Sequence, residues 1–183
     1  MKYILVAGLI TASVLIVGST SNEHEKATGI VKARMLVMEK LGKSMKALAR
    51  MMRGHAPYDT EKVRALARNL ADHGSANLTK LYPEGSLHKP SEARPEIWSD
   101  WERFSALAEQ LTDYAKALEE AADNGKTTPS SGTVRVDSYR VPTEQHNTNS
   151  PTSENLAQLP PNVAFKKIAG TCSGCHREFR REK

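Results

Sequence analysis

The residues best suited to chemistry lie near the end of the chain, in the run Cys172-Ser173-Gly174-Cys175-His176. A C-x-x-C-H sequence is the attachment signature of a c-type haem, because two thiols at this spacing can add to the haem vinyl groups and the next imidazole can bind the iron. The chain contains no other cysteine, so no other thiol competes for the role. The motif therefore predicts a covalently bound redox cofactor.

A C-x-x-C pair also occurs in zinc sites and in thiol–disulfide exchange. A structural zinc site needs four ligands, so the pair would have to recruit His176 and a distant histidine. None of the distant histidines has the spacing of a zinc finger; they are His24, His55, His73, His88 and His146. A thioredoxin-like motif follows a strand, and no strand pattern precedes Cys172. Haem attachment is favoured, with a structural disulfide in an exported protein as the alternative.

The chain begins with Met1-Lys2, followed by an uncharged run to Ser21 with an apolar centre. This pattern predicts a secretory signal peptide over residues 1–21, with cleavage near Ser19. The run is close to the shortest apolar stretch that spans a membrane, about 17 residues, so an uncleaved anchor is the alternative. In both cases we expect residues 22–183 to form one exported domain.

The charge of the chain gives a weaker indication. It has 26 basic and 21 acidic residues, a net charge of +5. The basic residues occur in every predicted helix rather than in one cluster, which argues against nucleic-acid binding. A mild positive charge favours at most an acidic redox partner. Membrane contact is expected only if the N-terminal segment is retained.

Four stretches repeat apolar residues at alternating steps of three and four, which indicates amphipathic helices. The stripe of the first comprises Val31, Met35, Met38, Gly42, Met45, Ala49 and Met52. The second begins at Asp59 or Thr60, ends at Pro83, and has the stripe Val63, Leu66, Leu70, Gly74, Asn77 or Leu78, and Leu81. Each helix is long enough to bury one face against the others.

The third stretch begins near Pro95 and has the stripe Ile97, Trp101, Phe104, Ala108, Leu111, Ala115, Leu118 and Ala122. The fourth begins after Pro160-Pro161, with Asn162 as its N-cap, and has the stripe Phe165, Ile168, Cys172, Cys175 and Phe179. Both cysteines thus lie on the buried face of the last helix. We predict an all-α fold, an antiparallel four-helix bundle with covalent haem on the C-terminal helix.

Residues 126–158 interrupt this pattern. The stretch is rich in Thr, Ser, Pro and Asn, a composition typical of long loops or inserts. We predict a polar insert there and assign no chemistry to it.

A haem motif on the last helix of a four-helix bundle resembles the cytochrome c-prime family and its low-spin relatives, the cytochromes c-556. The resemblance covers residues 28–82, 97–122 and 165–183. It is carried by Arg34-x-x-x-Met38-x-x-x-Gly42-x-x-Met45, Leu81-Tyr82-Pro83, Pro95-x-Ile97-Trp98 and Cys172-x-x-Cys175-His176-x-x-Phe179-Arg180. The insert at residues 126–158 departs from the family.

The resemblance implies that His176 is the proximal iron ligand and that Cys172 and Cys175 are the thioether anchors. It also places Met38 over the distal face of the haem. In the c-556-like branch this methionine binds the iron, and in the c-prime branch the sixth site is open. We expect Met38 to bind, with Met45 as the alternative ligand, although methionine also serves as a core filler.

Three further residues are predicted to lie in the haem environment. Gly42 costs about 1 kcal/mol inside a helix relative to alanine, so it indicates a close approach, either of a haem edge or of a second helix. The resemblance suggests that Arg180 flanks the proximal imidazole or a propionate, with a solvated charge as the alternative. Arg34 could meet a propionate or be a surface charge. We expect Trp98 and Trp101 to pack in the core.

These expectations together describe an exported, periplasmic cytochrome with one haem c. It would carry single electrons between redox partner proteins, with His176 and Met38 as axial ligands of a low-spin iron. We expect no enzymatic activity, because two filled axial positions leave no site for a substrate. The alternative is a five-coordinate haem protein that binds nitric oxide or carbon monoxide. The resemblance also leaves a homodimer open.

Overall fold

A computed structural model describes residues 27–126 and 153–182. The helices in this part of the chain are α1 (Gly29–Met52), α2 (Thr60–Asp72), α3 (Ser75–Thr79), α4 (Glu96–Ser99), α5 (Trp101–Glu120), a 3-10 helix (Ala121–Lys126), α6 (Ser153–Ala157) and α7 (Pro161–Phe179). The long helices α1, α2, α5 and α7 form a four-helix bundle, which confirms the predicted fold class. Within the described ranges, no helix is long and apolar enough to cross a membrane. The predicted signal peptide lies outside them.

The start of α2 is as predicted, and the start of α7 is not. The carboxylate of Asp59 accepts a hydrogen bond of 3.0 Å from the backbone N–H of Lys62, so Asp59 is the N-cap of α2. Asn162 was predicted to cap the last helix, but that helix already begins at Pro161 and its N-cap is Pro160. Proline is favoured in the first turn because its fixed φ suits a helix and its missing N–H costs no hydrogen bond there.

The buried face of α1 is turned away from the predicted stripe. The residues of α1 that are buried are Val31, Arg34, Leu41, Ser44, Leu48 and Met51. Three methionines of the predicted stripe, Met38, Met45 and Met52, are only partly buried beside this face. The branched side chains of Leu41 and Leu48 therefore determine which side of α1 faces the core, and the methionines lie at its edge.

The second and third predicted helices are each interrupted. The second breaks near Gly74, where the backbone is extended, and resumes as the short helix α3. The third breaks at Asp100, whose carboxylate accepts a hydrogen bond from the N–H of Arg103 and caps α5. The break turns Trp101 outward, so that 43% of its surface is exposed and its predicted core position is wrong. Trp98 is partly buried, and its indole N–H donates to the carbonyl of Tyr82 at 3.0 Å.

The end of the predicted insert is structured. Residues 153–157 form α6, and the side chain of Leu156 is completely buried. The side-chain amide of Asn124 donates to the carbonyls of Ala157 and Leu159, at 3.0 and 3.1 Å, and holds this segment against the end of α5. Residues 127–152 of the insert lie outside the described residues.

The interior consists of two apolar clusters. The main core comprises the buried residues Leu41, Leu48, Met51, Val63, Ala67, Leu70, Leu111, Ala115, Leu118, Ala122, Ala164, Phe165 and Ile168. The second core comprises Leu78, Tyr82, Ile97, Phe104, Leu107, Ala108 and Phe179. Val37 and Met38 on α1 pack against both cores. The boundary between the two clusters is where the predicted functional residues meet.

Candidate haem site

The two thiols lie on the inner side of α7, one against each core. Cys172 is partly buried and packs on the main core, whereas Cys175 packs on the second core. Both are free cysteines. Burial raises the pKa of the Cys172 thiol, and it raises that of Cys175 to about 11. The two sulfur atoms are therefore neutral thiols that straddle the boundary between the cores.

His176 lies at the edge of this arrangement, next to Cys175 in the chain. Its side chain keeps a solvent-exposed surface. Nevertheless, partial burial removes water from the imidazole and lowers its pKa, and the positive charge of the nearby Arg180 guanidinium lowers the pKa further. Because only an unprotonated ring nitrogen can bind a metal ion, this electrostatic environment suits a ligand role.

Arg180 follows the last turn of α7 rather than lying in it. Its backbone is extended, and the helix ends at Phe179. The Arg180 guanidinium donates to a carboxylate oxygen of Glu92, at 2.7 Å from Nε and 2.5 Å from Nη2. The backbone pairs as well, since the N–H of Arg94 donates to the carbonyl of Phe179 and the N–H of Arg181 donates to that of Glu92. The connection before α4 thus fixes Arg180 close to His176.

Met38 is the residue of α1 best placed to reach a group attached to α7. It packs against both cores, the same two that Cys172 and Cys175 contact, and Val37 beside it does the same. Met45, the alternative ligand in our sequence interpretation, packs against the main core. The structure therefore brings Met38 to the same boundary as the two thiols. Binding of iron by the sulfur of Met38 stays a prediction.

Arg34 is buried, so the alternative that it is a surface charge is wrong. Only 3% of its surface is exposed. Its Nε donates to the carbonyl of Leu81 at 2.6 Å, and its Nη2 donates to Ser86, at 2.7 Å to the carbonyl and 2.5 Å to the hydroxyl. The guanidinium lies 4.7 Å from the ring centre of Tyr82, and burial lowers its pKa. These contacts hold α1 against the segment that follows α3.

The acceptors of Arg34 are neutral. Its remaining hydrogen bond goes from Nη1 to the hydroxyl of Ser91, at 3.3 Å. Among the described residues, no carboxylate lies within ion-pair distance of its guanidinium. Burying a cation without an anion is costly. An anionic group such as a haem propionate near Nη1 would compensate the charge, so Arg34 fits the predicted role.

Gly42 is exposed on α1. A Cβ atom at this position would meet no heavy atom within 4 Å. The alternative of a close helix crossing is therefore wrong, and an approach by a haem edge stays a prediction.

Sequence reasoning missed the connection from Leu81 to Arg94 as part of the site. Its members Ser86, Ser91 and Glu92 hold Arg34 and Arg180. The segment is irregular, so it has no periodic signal, and the partners are 47 to 88 residues apart in the chain. In the sequence, the Leu81-Tyr82-Pro83 helix break was the single local indication that this connection belongs to the site.

The residues fit a covalently attached haem. Two thiols flank an interior boundary, an imidazole with a lowered pKa follows them, and a buried guanidinium has neutral partners nearby. In the described part of the chain, no group of three or more His, Cys, Asp and Glu residues could hold a metal ion by itself.

Comparison with known proteins points the same way. The profile of the family described as Cytochrome C' matches residues 29–135. A cytochrome c-556 of Agrobacterium tumefaciens (strain B2A) is 31% identical over 160 residues, which cover 85% of this chain and 99% of the relative. A cytochrome c' of Pararhodospirillum photometricum is 28% identical over 151 residues, which cover 82% and 94%.

Solved structures share the fold. The cytochrome c' of Rhodopseudomonas palustris superimposes with a TM-score of 0.60 at 22% identity, covering 86% of this chain and 99% of that one. A nitric oxide complex of a variant of cytochrome c prime from Alcaligenes xylosoxidans gives a TM-score of 0.59 at 23% identity, covering 84% and 94%. The family profile spans more than half of the chain, and the two cysteines needed for attachment are present. The chain therefore belongs to the cytochrome c' family and carries haem c.

Proposed function

We propose that the protein binds nitric oxide or carbon monoxide at the iron of its haem, through an open sixth position. The packing of Met38 carries this proposal. Its side chain packs against both apolar cores, and so does that of Val37 beside it. An apolar wall over the distal face disfavours water and anions and leaves small neutral gases as ligands. This proposal reverses our sequence prediction, in which Met38 binds the iron.

The side chains of the site would have the following roles. Cys172 and Cys175 would hold the haem by thioether bonds, and His176 would bind its iron. Arg34 compensates a propionate, and Arg180 flanks the imidazole. When bound, the haem supplies an iron that changes oxidation state and accepts a fifth and a sixth ligand. The side chains of α1 would exclude water from the sixth coordination position of the iron.

The similarity to solved structures supports the gas-binding function. One neighbour of the same fold is described as a nitric oxide complex. At 23% identity this likeness concerns the fold, so the transfer of ligand chemistry to this chain is our inference.

One-electron transfer is the second candidate. The observation that favours it is the thioether of Met38 at the boundary of the two cores, since a methionine ligand raises the reduction potential of haem iron. The relative from strain B2A is also named a cytochrome c-556. Under either function we propose that the protein is exported to the periplasm and is not an enzyme.

A ferrous absorption spectrum with and without carbon monoxide tests the proposal. We expect a high-spin spectrum that shifts on addition of the gas, because the sixth position is open. A low-spin ferrous spectrum that carbon monoxide leaves unchanged would contradict gas binding and favour His176 and Met38 as axial ligands. Haem staining of a denaturing gel is the control, because it reports covalent attachment whatever the spin state.

A further inference from the structure

The positive charge of this protein is concentrated in its first helix. The whole chain has a net charge of +5. From Gly29 to Arg53 there are seven basic residues and one acidic residue, Glu39. This segment therefore has a balance of +6, and the rest of the chain has −1. The sequence pattern hid this, because basic residues occur in every helix.

Folding places most of these charges on one surface. Arg34 points inward, and the other six basic residues are exposed. We call these six the α1 basic face; they are Lys32, Lys40, Lys43, Lys46, Arg50 and Arg53. Leu36, 44% exposed, lies among them. Glu39 pairs with Lys43 at 2.5 Å and is the one acidic residue of α1.

Arginines on the other helices are largely compensated. Arg68 on α2 pairs with Glu119 on α5, and Arg103 on α5 pairs with Glu178 on α7. In the ranges that the structure describes, the α1 basic face has no comparable set of acidic partners. Its field is thus directed to solvent, where it can attract an anionic surface.

The face is also close to the haem site. The opposite side of α1 carries Val37 and Met38, which pack beside Cys172 and Cys175. A helix with its side chains is about 10–12 Å wide. A molecule bound to the α1 basic face would therefore be separated from the haem by about one helix diameter.

We propose that the α1 basic face docks an acidic protein that donates one electron to the haem. The flavin or metal centre of that protein loses the electron, and the ferric iron gains it and becomes ferrous. This inference rests on the proposed function, because carbon monoxide binding requires ferrous iron. Charge complementarity increases the rate and fixes the orientation of such encounters.

Other occupants fit the face less well. A helix that lies on an anionic membrane inserts an apolar face, and Leu36 is the one large apolar side chain among the exposed residues of this face. A second copy of the chain would bring two rows of lysine and arginine together, and like charges across an interface repel. An acidic protein avoids both costs.

The test uses the full haem-containing protein and reduced flavodoxin, an acidic one-electron carrier, as the probe. The face variant combines Lys32→Gln, Lys40→Gln and Lys46→Gln. The matched control combines Lys62→Gln, Lys116→Gln and Lys166→Gln, which are exposed lysines of α2, α5 and α7. Stopped-flow absorbance gives the rate of haem reduction at several salt concentrations.

At low salt we expect the face variant to slow haem reduction about tenfold and to flatten its salt dependence, with less than about a twofold effect in the control. Equal losses in the two variants would show that net charge alone matters, and no loss in either would exclude this face; both outcomes overturn the proposal. The carbon monoxide difference spectrum of each variant is recorded in parallel, so a failure of gas binding is seen separately.

Two measurements distinguish the other occupants. Phosphatidylglycerol vesicles that bind the wild type but not the face variant, with an unchanged flavodoxin rate, would identify a membrane and overturn the proposal. Sedimentation velocity that shows a dimer for the wild type and a monomer for the face variant would identify a second copy, with the same consequence.

Discussion

At the scale of single residues, the connection from Leu81 to Arg94 links the two arginines of the site. It holds Arg34 of α1 through Leu81, Ser86 and Ser91, and it holds Arg180 beyond α7 through Glu92. Arg34 belongs to the helix that carries Met38, and Arg180 lies near His176. An irregular segment without chemistry of its own therefore fixes two arginines, one on the helix that carries Met38 and one near His176.

The burial of Arg34 leads to a prediction about stability. Arg34→Met would leave the carbonyls of Leu81 and Ser86 without their donor, and each buried unpaired group costs about 1–3 kcal/mol. We expect the free energy of unfolding in urea to fall by about 2–4 kcal/mol. Arg34→Lys keeps the charge but not the planar fork of donors, so its loss should be smaller. An unchanged urea midpoint for Arg34→Met would contradict this assignment.

The role of Met38 leads to a second prediction at this scale. Met38→Leu conserves volume and removes the sulfur, and such exchanges usually cost less than about 1.5 kcal/mol. If Met38 is a wall of the site, the ferrous spectrum and carbon monoxide binding will stay as in the wild type. Met45→Leu serves as the matched control. A change from low-spin to high-spin iron in Met38→Leu alone would instead show that Met38 is the sixth ligand.

At the scale of helices, two glycines on apolar stripes have opposite roles. A Cβ atom on Gly74 would overlap Oγ1 of Thr112 and lie 3.1 Å from the carbonyl oxygen of Ala108, both on α5. Gly74 thus allows the chain to break between α2 and α3 while it stays in contact with α5. A Cβ atom on Gly42 would meet no such obstacle, although Gly42 also lies on a predicted apolar stripe.

We therefore expect opposite effects from two alanine substitutions. Gly74→Ala should lower the free energy of unfolding by about 1–3 kcal/mol, as overpacking does, and the loss should shrink when Thr112→Ala removes the nearest atom. Gly42→Ala should raise it by up to about 1 kcal/mol, because alanine has the higher helix propensity. Thermal and urea unfolding measure both. A shifted haem spectrum in Gly42→Ala would indicate that a haem edge does approach this position.

The contact between α5 and α7 predicts an acid dependence. The carboxylate of Glu178 accepts hydrogen bonds from Arg103 at 3.1 and 3.2 Å, which lowers the pKa of Glu178 below its ordinary value of 4.5. The unfolded chain then takes up this proton first, so the pair stabilises the fold above about pH 4.5 and loses its effect as the pH falls through the lower folded pKa.

We expect the melting temperature of the wild type to fall between about pH 5 and pH 3 more steeply than that of Glu178→Gln, which has no proton to gain at this position. Differential scanning calorimetry at several pH values measures this difference. Parallel curves for the two proteins would show that the ion pair does not contribute.

At the scale of the whole molecule, the residues of the candidate haem site lie at the boundary between the two cores. Cys172 contacts the main core and Cys175 the second core, while Val37 and Met38 lie against both. A group attached to both thiols is therefore part of the interior rather than an addition to it. A ligand that binds only the folded state adds to stability.

The double variant Cys172→Ser, Cys175→Ser tests this coupling. We expect haem staining on a denaturing gel to be lost, and the thermal transition to be lower and broader, because nothing covalent joins the haem to the boundary between the cores. Ser173→Ala, which leaves both thiols in place, is the control and should keep both properties. A sharp transition at the wild-type temperature would mean that the cores do not need the haem.

The sequence by itself determined the chemistry and the fold class. The C-x-x-C-H spacing is local, so the chain alone specifies two thiols and an imidazole on one helix, and apolar periodicity specifies four helices because each must bury one face. The cap at Asp59 was predictable for the same reason, since its hydrogen bond spans only three residues. The resemblance to the family rested on these local features and was confirmed.

Tertiary structure decided what depends on distant parts of the chain. Packing against α2, α5 and the connection before α4 decides three features that the sequence pattern did not predict. They are the buried face of α1, the outward turn of Trp101 and the burial of Arg34. Contacts between residues 47 to 88 positions apart leave no periodic trace in the sequence. The excess of basic residues in α1 can be counted from the sequence, but folding decides their exposure, since the bundle buries Arg34 and leaves the other six basic side chains on the surface.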